Sequence, residues 1–196
     1  MLHKSLEDGF AGMQGFVEIK VYDGDKLVDI ICTPNIITFT ATNIMARVLG
    51  RDQAYAPTHI LVGGTDPTDI PGFPTFTPST AVTREDTSLS SDTNDLVVLS
   101  AVRRELPIVS RGFQSSPSPS NTTSPEQQTS NVVTFTAILP AVPEDGLPSV
   151  DGKSFFEAGI ITKLGSTNLL FSHQFHEPIE KLNNFQLVYT WAIRFL

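Results

Sequence analysis

The strongest constraint on the fold is the alternation of side chains over residues 185–195, near the end of the sequence. Every second position carries an apolar side chain: Phe185, Leu187, Tyr189, Trp191, Ile193 and Phe195. Gln186, Thr190 and Arg194 lie between them. Successive side chains of a β-strand point to opposite faces, so the pattern predicts a strand with one face in a core. We therefore expect the C-terminal residues to be paired in a sheet.

The same period recurs near the N-terminus and predicts a β-hairpin. Positions 17–21 alternate between apolar and charged residues, 23–25 are Asp-Gly-Asp, and 27–32 form a second apolar run. An Asp-Gly pair between two such runs favours a tight hairpin turn. Further strand-like runs lie at 57–62, 95–103, 133–139, 155–162 and 169–175. The predicted core comprises Trp191, Tyr189, Ile193, Phe195, Phe135 and Phe171.

One segment departs from this period and predicts an amphipathic helix over 39–49. Its apolar residues are spaced four, three and four apart: Ile37, Ala41, Ile44 and Val48. That spacing places them on one stripe of a helix. Thr38 or Thr40 is suited to cap the start, and Gly50 is expected to end the helix.

Composition favours a mainly β fold for the whole chain. Only 17% of the residues are charged, while 13 Gly and 14 Pro supply many turns. Helical bundles and coiled coils are richer in charged residues than this. Many short strands and turns predict one domain over residues 1–196, an antiparallel β-sandwich with one short amphipathic helix and long surface loops.

Two stretches are expected to be surface excursions from that domain. Residues 66–80 contain four prolines, which lack backbone donors and exclude a sheet interior. Residues 114–130 are mostly small and polar, and bury too little apolar surface to offset the entropy of ordering. Phe73 and Phe76 in the first excursion, together with Tyr55, are the candidate interface residues. Aromatic rings in a proline-stiffened loop lose little entropy when they dock.

Charge and hydropathy exclude several classes of partner. The formal net charge of −8 repels phosphate backbones, so direct binding of nucleic acid is not expected. No stretch has the apolar length of a membrane span, and residues 1–12 lack the features of a signal peptide. A single cysteine excludes an internal disulfide framework.

Residues that could carry catalytic or metal chemistry are few. Glu157 interrupts the apolar run 155–161, as an outward side chain or as a specific ion-pair partner. His173 and His176 are three residues apart, which places them on opposite faces of a strand and is wrong for joint metal ligation. His173 and His59 are expected to be packed and hydrogen-bonded. The sequence therefore predicts no metal site, no cofactor and no catalytic residue.

Three other local features have ordinary structural explanations. Residues 63–65, Gly-Gly-Thr, are expected to form a tight turn after a strand. Cys32 lies in an apolar run and is expected to be buried and inert. Arg103 and Arg104 beside Glu105 favour an ion pair on an edge strand over a phosphate site.

An ordered series of packing and turn motifs runs through the sequence. It comprises Asn-Ile-Ile-Thr at 35–38, Met-Ala-Arg-Val-Leu at 45–49, Pro-Thr-His-Ile-Leu-Val-Gly-Gly at 57–64, Phe-Thr-Ala-Ile-Leu-Pro at 135–140, Phe-Glu-Ala-Gly-Ile at 156–160, Leu-Phe at 170–171, Pro-Ile at 178–179 and Leu-Val-Tyr-Thr-Trp-Ala-Ile at 187–193. This order resembles tailed-bacteriophage structural proteins of the tail, collar and fibre-associated kind. The resemblance covers 35–65 and 131–196, and the sequence departs from it in the two excursions.

The resemblance implies a non-enzymatic virion protein that oligomerises at the head–tail neck, as a collar or connector-associated component, or in the tail or baseplate. A capsid decoration protein is an alternative of the same class. The implied partners are further copies of the chain and neighbouring connector, tail or capsid proteins. The implied location is the virion, after assembly in the host cytoplasm.

Two other classes of function stay open at the level of sequence. A carbohydrate- or receptor-binding β-sandwich module would need exposed aromatic rings beside polar groups, for which Tyr55, Phe73 and Phe76 are the candidates. An enzyme would need a pocket that holds Glu157 together with His59 or His173.

Overall fold

The computed structural model describes residues 12–65, 84–87, 89, 101–114, 131–142 and 149–195. Within these ranges the strands are β1 (Met13–Asp23), β2 (Lys26–Ile37), β3 (His59–Thr65), β4 (Ala101–Gln114), β5 (Val132–Leu139), β6 (Lys153–Leu164), β7 (Thr167–Lys181) and β8 (Phe185–Phe195). One α-helix, α1 (Phe39–Leu49), and a 3-10 helix at Gln53–Tyr55 lie between β2 and β3. The predicted excursion at 66–80, with Phe73 and Phe76, and residues 115–130 lie outside the described residues.

The eight strands close into one antiparallel barrel in the order β1-β2-β7-β6-β3-β4-β5-β8, and β8 pairs back to β1. The expected mainly antiparallel β fold with one amphipathic helix is therefore confirmed. The expected sandwich of two separate sheets is corrected, because the sheet closes on itself.

Two long strands turn the corners that close the barrel. β4 pairs with β3 through residues 101–107 and with β5 through residues 108–114. β2 pairs with β1 along most of its length, but with β7 only at Ile36 and Ile37. Each strand thus belongs to both halves of the wall, which is the way strands at the corners of orthogonal packings join two sheets.

The inward side chains of β8 fill the centre of the barrel. Those at most 1% exposed are Leu187, Tyr189, Trp191 and Ile193. In the register of the wall, Trp191 lies opposite Val17 of β1 and Phe135 of β5. Phe135 and Phe171 are buried, and Phe195 is half-buried against the same core. The apolar side of the last strand therefore forms the core, as its alternation predicts.

A polar contact crosses this core from β2 to β8. With its oxygen directed to the indole, the Asn35 amide accepts a hydrogen bond from Trp191 Nε1, and its nitrogen donates to Ser172 Oγ at 3.0 Å. Asn35 lies directly over Gly15 of β1, where any Cβ would overlap the amide. A glycine is therefore required at position 15 for Asn35 to reach the indole.

Helix α1 spans the predicted residues, and its apolar stripe joins the barrel core. Ala41 and Ile44 are fully buried, and Val48 packs against them from a half-buried position. The expected Thr38 cap is corrected. Thr38 stands at the N-cap position, but its hydroxyl donates to the backbone carbonyl of Leu170 at 2.6 Å. This bond ties the start of the helix to β7.

The helix ends at Leu49 with Gly50 at the C-cap position, as expected, but Gly50 is not in the left-handed conformation. Gly50 has a φ of −71°, which any residue adopts. The left-handed conformation falls instead on Arg51, with a φ of 68°.

No helix in the described part of the chain is long and apolar enough to cross a membrane.

The Gly-Gly-Thr segment at 63–65 lies within β3, so the expected turn at this position is wrong. Gly64 pairs with Phe155 of β6, where a bulge brings the two backbones together. A Cβ at Gly64 would overlap the Ser154 carbonyl oxygen. The glycine therefore permits a close approach of two strands.

Gly64→Ala should lower the free energy of unfolding by about 1–3 kcal/mol, the usual cost of overpacking. The neighbour is backbone, so relief requires β3 and β6 to move apart. Gly112→Ala in β4 is the matched control, because its nearest neighbour is the Thr134 hydroxyl at 3.1 Å, which can rotate away. Urea unfolding of both variants measures the difference, and equal midpoints would contradict the close approach.

Candidate functional site

The most chemically distinctive cluster in the described residues is an imidazole held between two carboxylates. His173 of β7 lies diagonally across from Glu157 of β6, since the register pairs Glu157 with Phe175 and Gly159 with His173. His173 Nε2 lies 2.7 Å from Glu157 Oε1, and His173 Nδ1 lies 2.9 Å from Asp86 Oδ2. The His173 side chain is 1% exposed and that of Glu157 is 0% exposed.

The electrostatics of this triad favour a charged imidazolium. Burial by itself lowers the pKa of His173. The hydrogen bonds and charges of Glu157 and then of Asp86 act in the opposite direction and outweigh it, so the pKa of His173 is raised. Protonation supplies the N–H donors that both carboxylates require.

This arrangement is suited to holding structure together. A general base needs a free nitrogen lone pair within reach of a substrate proton. Both nitrogens of His173 are used, and the side chains of His173 and Glu157 are closed to solvent. The triad brings together Glu157 and His173, which the enzyme hypothesis names, in direct contact with each other.

The third member of the triad comes from a short segment, described at residues 84–87 and 89, which we call the strap. Its start is bonded to the helix, where the Phe39 N–H donates to the Arg84 carbonyl at 2.9 Å. Its end is the buried Leu89, in a cluster with Leu61, Ile161 and Leu170 on the wall. The Asp86–His173 contact lies between these two attachments and fixes the strap to the barrel.

Gly159 makes room for the strap. A Cβ at this position would lie 2.8 Å from Leu89 Cδ2 and 2.8 Å from Leu170 Cδ1. Gly159 lies inside β6, which continues through it without interruption. Its function is to let Leu89 lie flat against the wall.

His176 has the opposite environment from His173. Burial lowers the pKa of His176 to about 4, so the ring is neutral at neutral pH. Its Nδ1 donates to the Glu177 carbonyl at 2.8 Å. Its Nε2 and the Tyr189 hydroxyl are both buried and have no hydrogen-bond partner among the described residues. Their ring centroids are 6.2 Å apart.

The remaining candidates are separate from the triad. His59 is half-buried, and its Nδ1 shares a hydrogen bond with Thr58 Oγ1, 2.9 Å away. Burial lowers the pKa of His59. Arg103 forms the expected ion pair with Glu105 at 3.1 Å. The expected edge strand is wrong, because β4 lies between β3 and β5 in the closed barrel. Cys32 is exposed on β2, so the expectation of a buried cysteine is wrong. No group of His, Cys, Asp or Glu suited to a metal ion occurs in the part of the chain that the structure describes.

Tyr55, a candidate interface residue, is half-buried against the core. The Arg47 guanidinium lies over its ring, 5.2 Å from the centroid. Its backbone carbonyl accepts from Thr162 Oγ1 at 2.8 Å. The ring is thus already engaged within the chain.

A second feature is the outward side of four neighbouring strands, which we call the outer sheet face. Register places three rows of four residues there: Pro34, Phe16, Ala192 and Thr134; Cys32, Glu18, Thr190 and Thr136; Ile30, Lys20, Val188 and Ile138. Only Glu18 and Lys20 are charged, and they form an ion pair at 2.8 Å. All twelve residues are exposed or half-exposed.

An open groove of about 460 Å³ crosses this face. Its lining includes Phe16 and Pro34 together with the small side chains of Ala192, Thr190 and Thr134. Phe16 is 41% exposed, a large fraction for a phenylalanine. The face therefore carries a projecting ring directly beside a depression.

Sequence reasoning did not identify Asp86 or Phe16 as site residues. Asp86 lies 71 residues from Glu157 and 87 from His173, and no local pattern connects them. Phe16 does carry a local signal, since it is an apolar residue on the polar side of β1, in phase with Glu18 and Lys20.

Fold and site together define a closed antiparallel β-barrel with a carboxylate–histidine–carboxylate triad on its wall, in which His173 and Glu157 are buried, and an outer sheet face with few charges. Comparison with family models, with curated proteins and with solved structures finds no significant match.

Proposed function

We propose that this chain is a non-enzymatic structural protein that assembles with copies of itself. The observation that carries the proposal is the outer sheet face, which exposes Phe16, Ile30 and Cys32 on a chain of net charge −8. Contiguous exposed apolar surface on a protein marks an interaction site.

The place of assembly follows from the motif order that resembles tailed-phage structural proteins. On that basis the chain is a virion component at the head–tail neck, as a collar or connector-associated protein, or in the tail or baseplate. Its partners are copies of itself and the adjoining connector, tail or capsid proteins. A capsid decoration protein is the further alternative within the same class of virion structural proteins.

A carbohydrate- or receptor-binding role is the second candidate, and the groove favours it. Phe16 offers an apolar ring, while Thr134, Thr190 and Glu18 offer hydroxyl and carboxylate groups beside it. Sugars combine apolar C–H faces with hydroxyl groups, so a ring beside polar groups is suitable for them. Binding of the isolated protein on a glycan array would favour this candidate.

Assembly predicts a mass in solution above 21.3 kDa that rises with protein concentration. Light scattering across a concentration series measures this. Antibody labelling of purified particles then tests the virion location. A monomer at every concentration, absent from particles, would contradict the proposal.

A further inference from the structure

We propose that two copies of the chain pair through the outer sheet face, with Phe16 of each copy inserted into the groove of the other. The inference deepens the proposed function and rests on it, since it identifies the surface through which self-assembly occurs.

Shape is the first argument for a second copy as the occupant. A two-fold contact requires a surface that is complementary to itself. The groove meets this requirement, because the exposed Phe16 ring stands beside a depression over Ala192 and Thr134. Gly112 of β4 continues the same row beyond Thr134 and adds no side chain. A two-fold axis through the face would bring each ring over the other's depression.

Charge is the second argument. Two chains of net charge −8 repel each other, and the contact must avoid adding to that repulsion. On the outer sheet face the single carboxylate, Glu18, is paired with the single ammonium, Lys20. Arg194 of β8 lies one row beyond Ala192 on the same side of the sheet and carries a positive charge. The contact therefore adds no unpaired carboxylate from these rows to the repulsion between the two chains. Such a pair closes on two copies, so a larger ring would use a second surface.

Cys32 provides a direct probe of this surface. It is the one cysteine of the chain, it is exposed, and it lines the groove. A bulky maleimide should label it readily in dilute protein. Pairing should slow labelling about fivefold at a protein concentration about ten times the dissociation constant, by mass action.

Two variants test the geometry from opposite sides. Phe16→Asp removes the projecting ring and adds a charge, and Ala192→Phe fills the depression while it keeps the ring. Both should abolish pairing and make the Cys32 labelling rate independent of concentration. Leu49→Asp is the matched control, since Leu49 is 77% exposed on α1 and lies off this face. Thermal unfolding of each variant verifies that the fold is intact.

The outcomes separate this inference from the proposed function. If light scattering shows association while the Cys32 labelling rate is unchanged, pairing through the outer sheet face is overturned, whereas self-assembly itself is supported. If the chain does not associate at any concentration, both the pairing through the outer sheet face and the proposed self-assembly are overturned. Protection of Cys32 by a glycan, with no dependence on protein concentration, would assign the groove to saccharide binding and overturn pairing.

Discussion

Trp191→Ala should lower the free energy of unfolding by about 3–5 kcal/mol, the usual cost of truncating a buried tryptophan. Trp191 is fully buried in the middle of β8, between Val17 and Phe135 of the flanking strands. The substitution leaves a cavity in a closed barrel, where the surrounding strands have little freedom to collapse. It also removes the indole N–H that donates to the Asn35 amide.

Urea unfolding measures this loss, and Val188→Ala is the matched control. Val188 lies on the same strand but points to the outer sheet face, where it is half-exposed. Its truncation should cost less than about 1 kcal/mol. Equal midpoints for the two variants would show that the inward side of β8 is not the core.

Glu157→Gln should be comparably destabilising, by about 3–5 kcal/mol at pH 6, the usual cost of breaking a buried ion pair from one side. The substitution preserves the shape of the side chain and removes the charge that faces His173 Nε2 at 2.7 Å. Glu18→Gln in the exposed pair with Lys20 is the control, and should cost at most about 1 kcal/mol.

The destabilisation should depend on pH, with a sign set by the raised pKa of His173. A raised folded-state pKa means that the stabilisation is fully present below the unfolded value of about 6.5 and is lost as pH rises through the folded value. The difference in the free energy of unfolding between wild type and Glu157→Gln should therefore become smaller from pH 6 to pH 9. Burial lowers the pKa of His176 to about 4, which is below this range, so His176 stays neutral from pH 6 to pH 9.

Chemical denaturation at a series of pH values tests this pH dependence. Asp86→Asn is a second variant, for which a smaller loss of stability is expected. The Asp86 side chain is 24% exposed, so water replaces part of its contact and the loss should be smaller than for Glu157. A gap that stays constant or widens toward pH 9 would show that His173 is not the titrating group.

Local sequence patterns were sufficient for the last strand, the hairpin and the helix. Alternation over 185–195 identified β8 and its buried side, and the four-three-four spacing identified α1 at residues 39–49. The Asp-Gly-Asp sequence at 23–25 marked the hairpin between β1 and β2. These features depend on the geometry of consecutive residues, which the sequence states directly.

Barrel closure was decided by tertiary structure. A sandwich and a barrel can contain the same alternating strands, and they differ in whether strands at the corners pair on both sides. β4 changes partner from β3 to β5 halfway along its length, and no local pattern marks that exchange. The glycines at 63–64 looked like a turn for the same reason, since the strand that approaches Gly64 is about 90 residues away in sequence.

The sequence by itself determined which side chains of β8 and α1 face inward, because alternation and helical spacing are properties of neighbouring residues. It also singled out Glu157, for which a specific ion-pair partner was one expectation, and it predicted a packed and hydrogen-bonded His173. Only the tertiary structure placed Asp86 against His173 and set the Phe16 ring beside the small residues of β5 and β8. The physical reason is that both arrangements are contacts between distant segments, whose positions are set by strand order and register around the closed barrel.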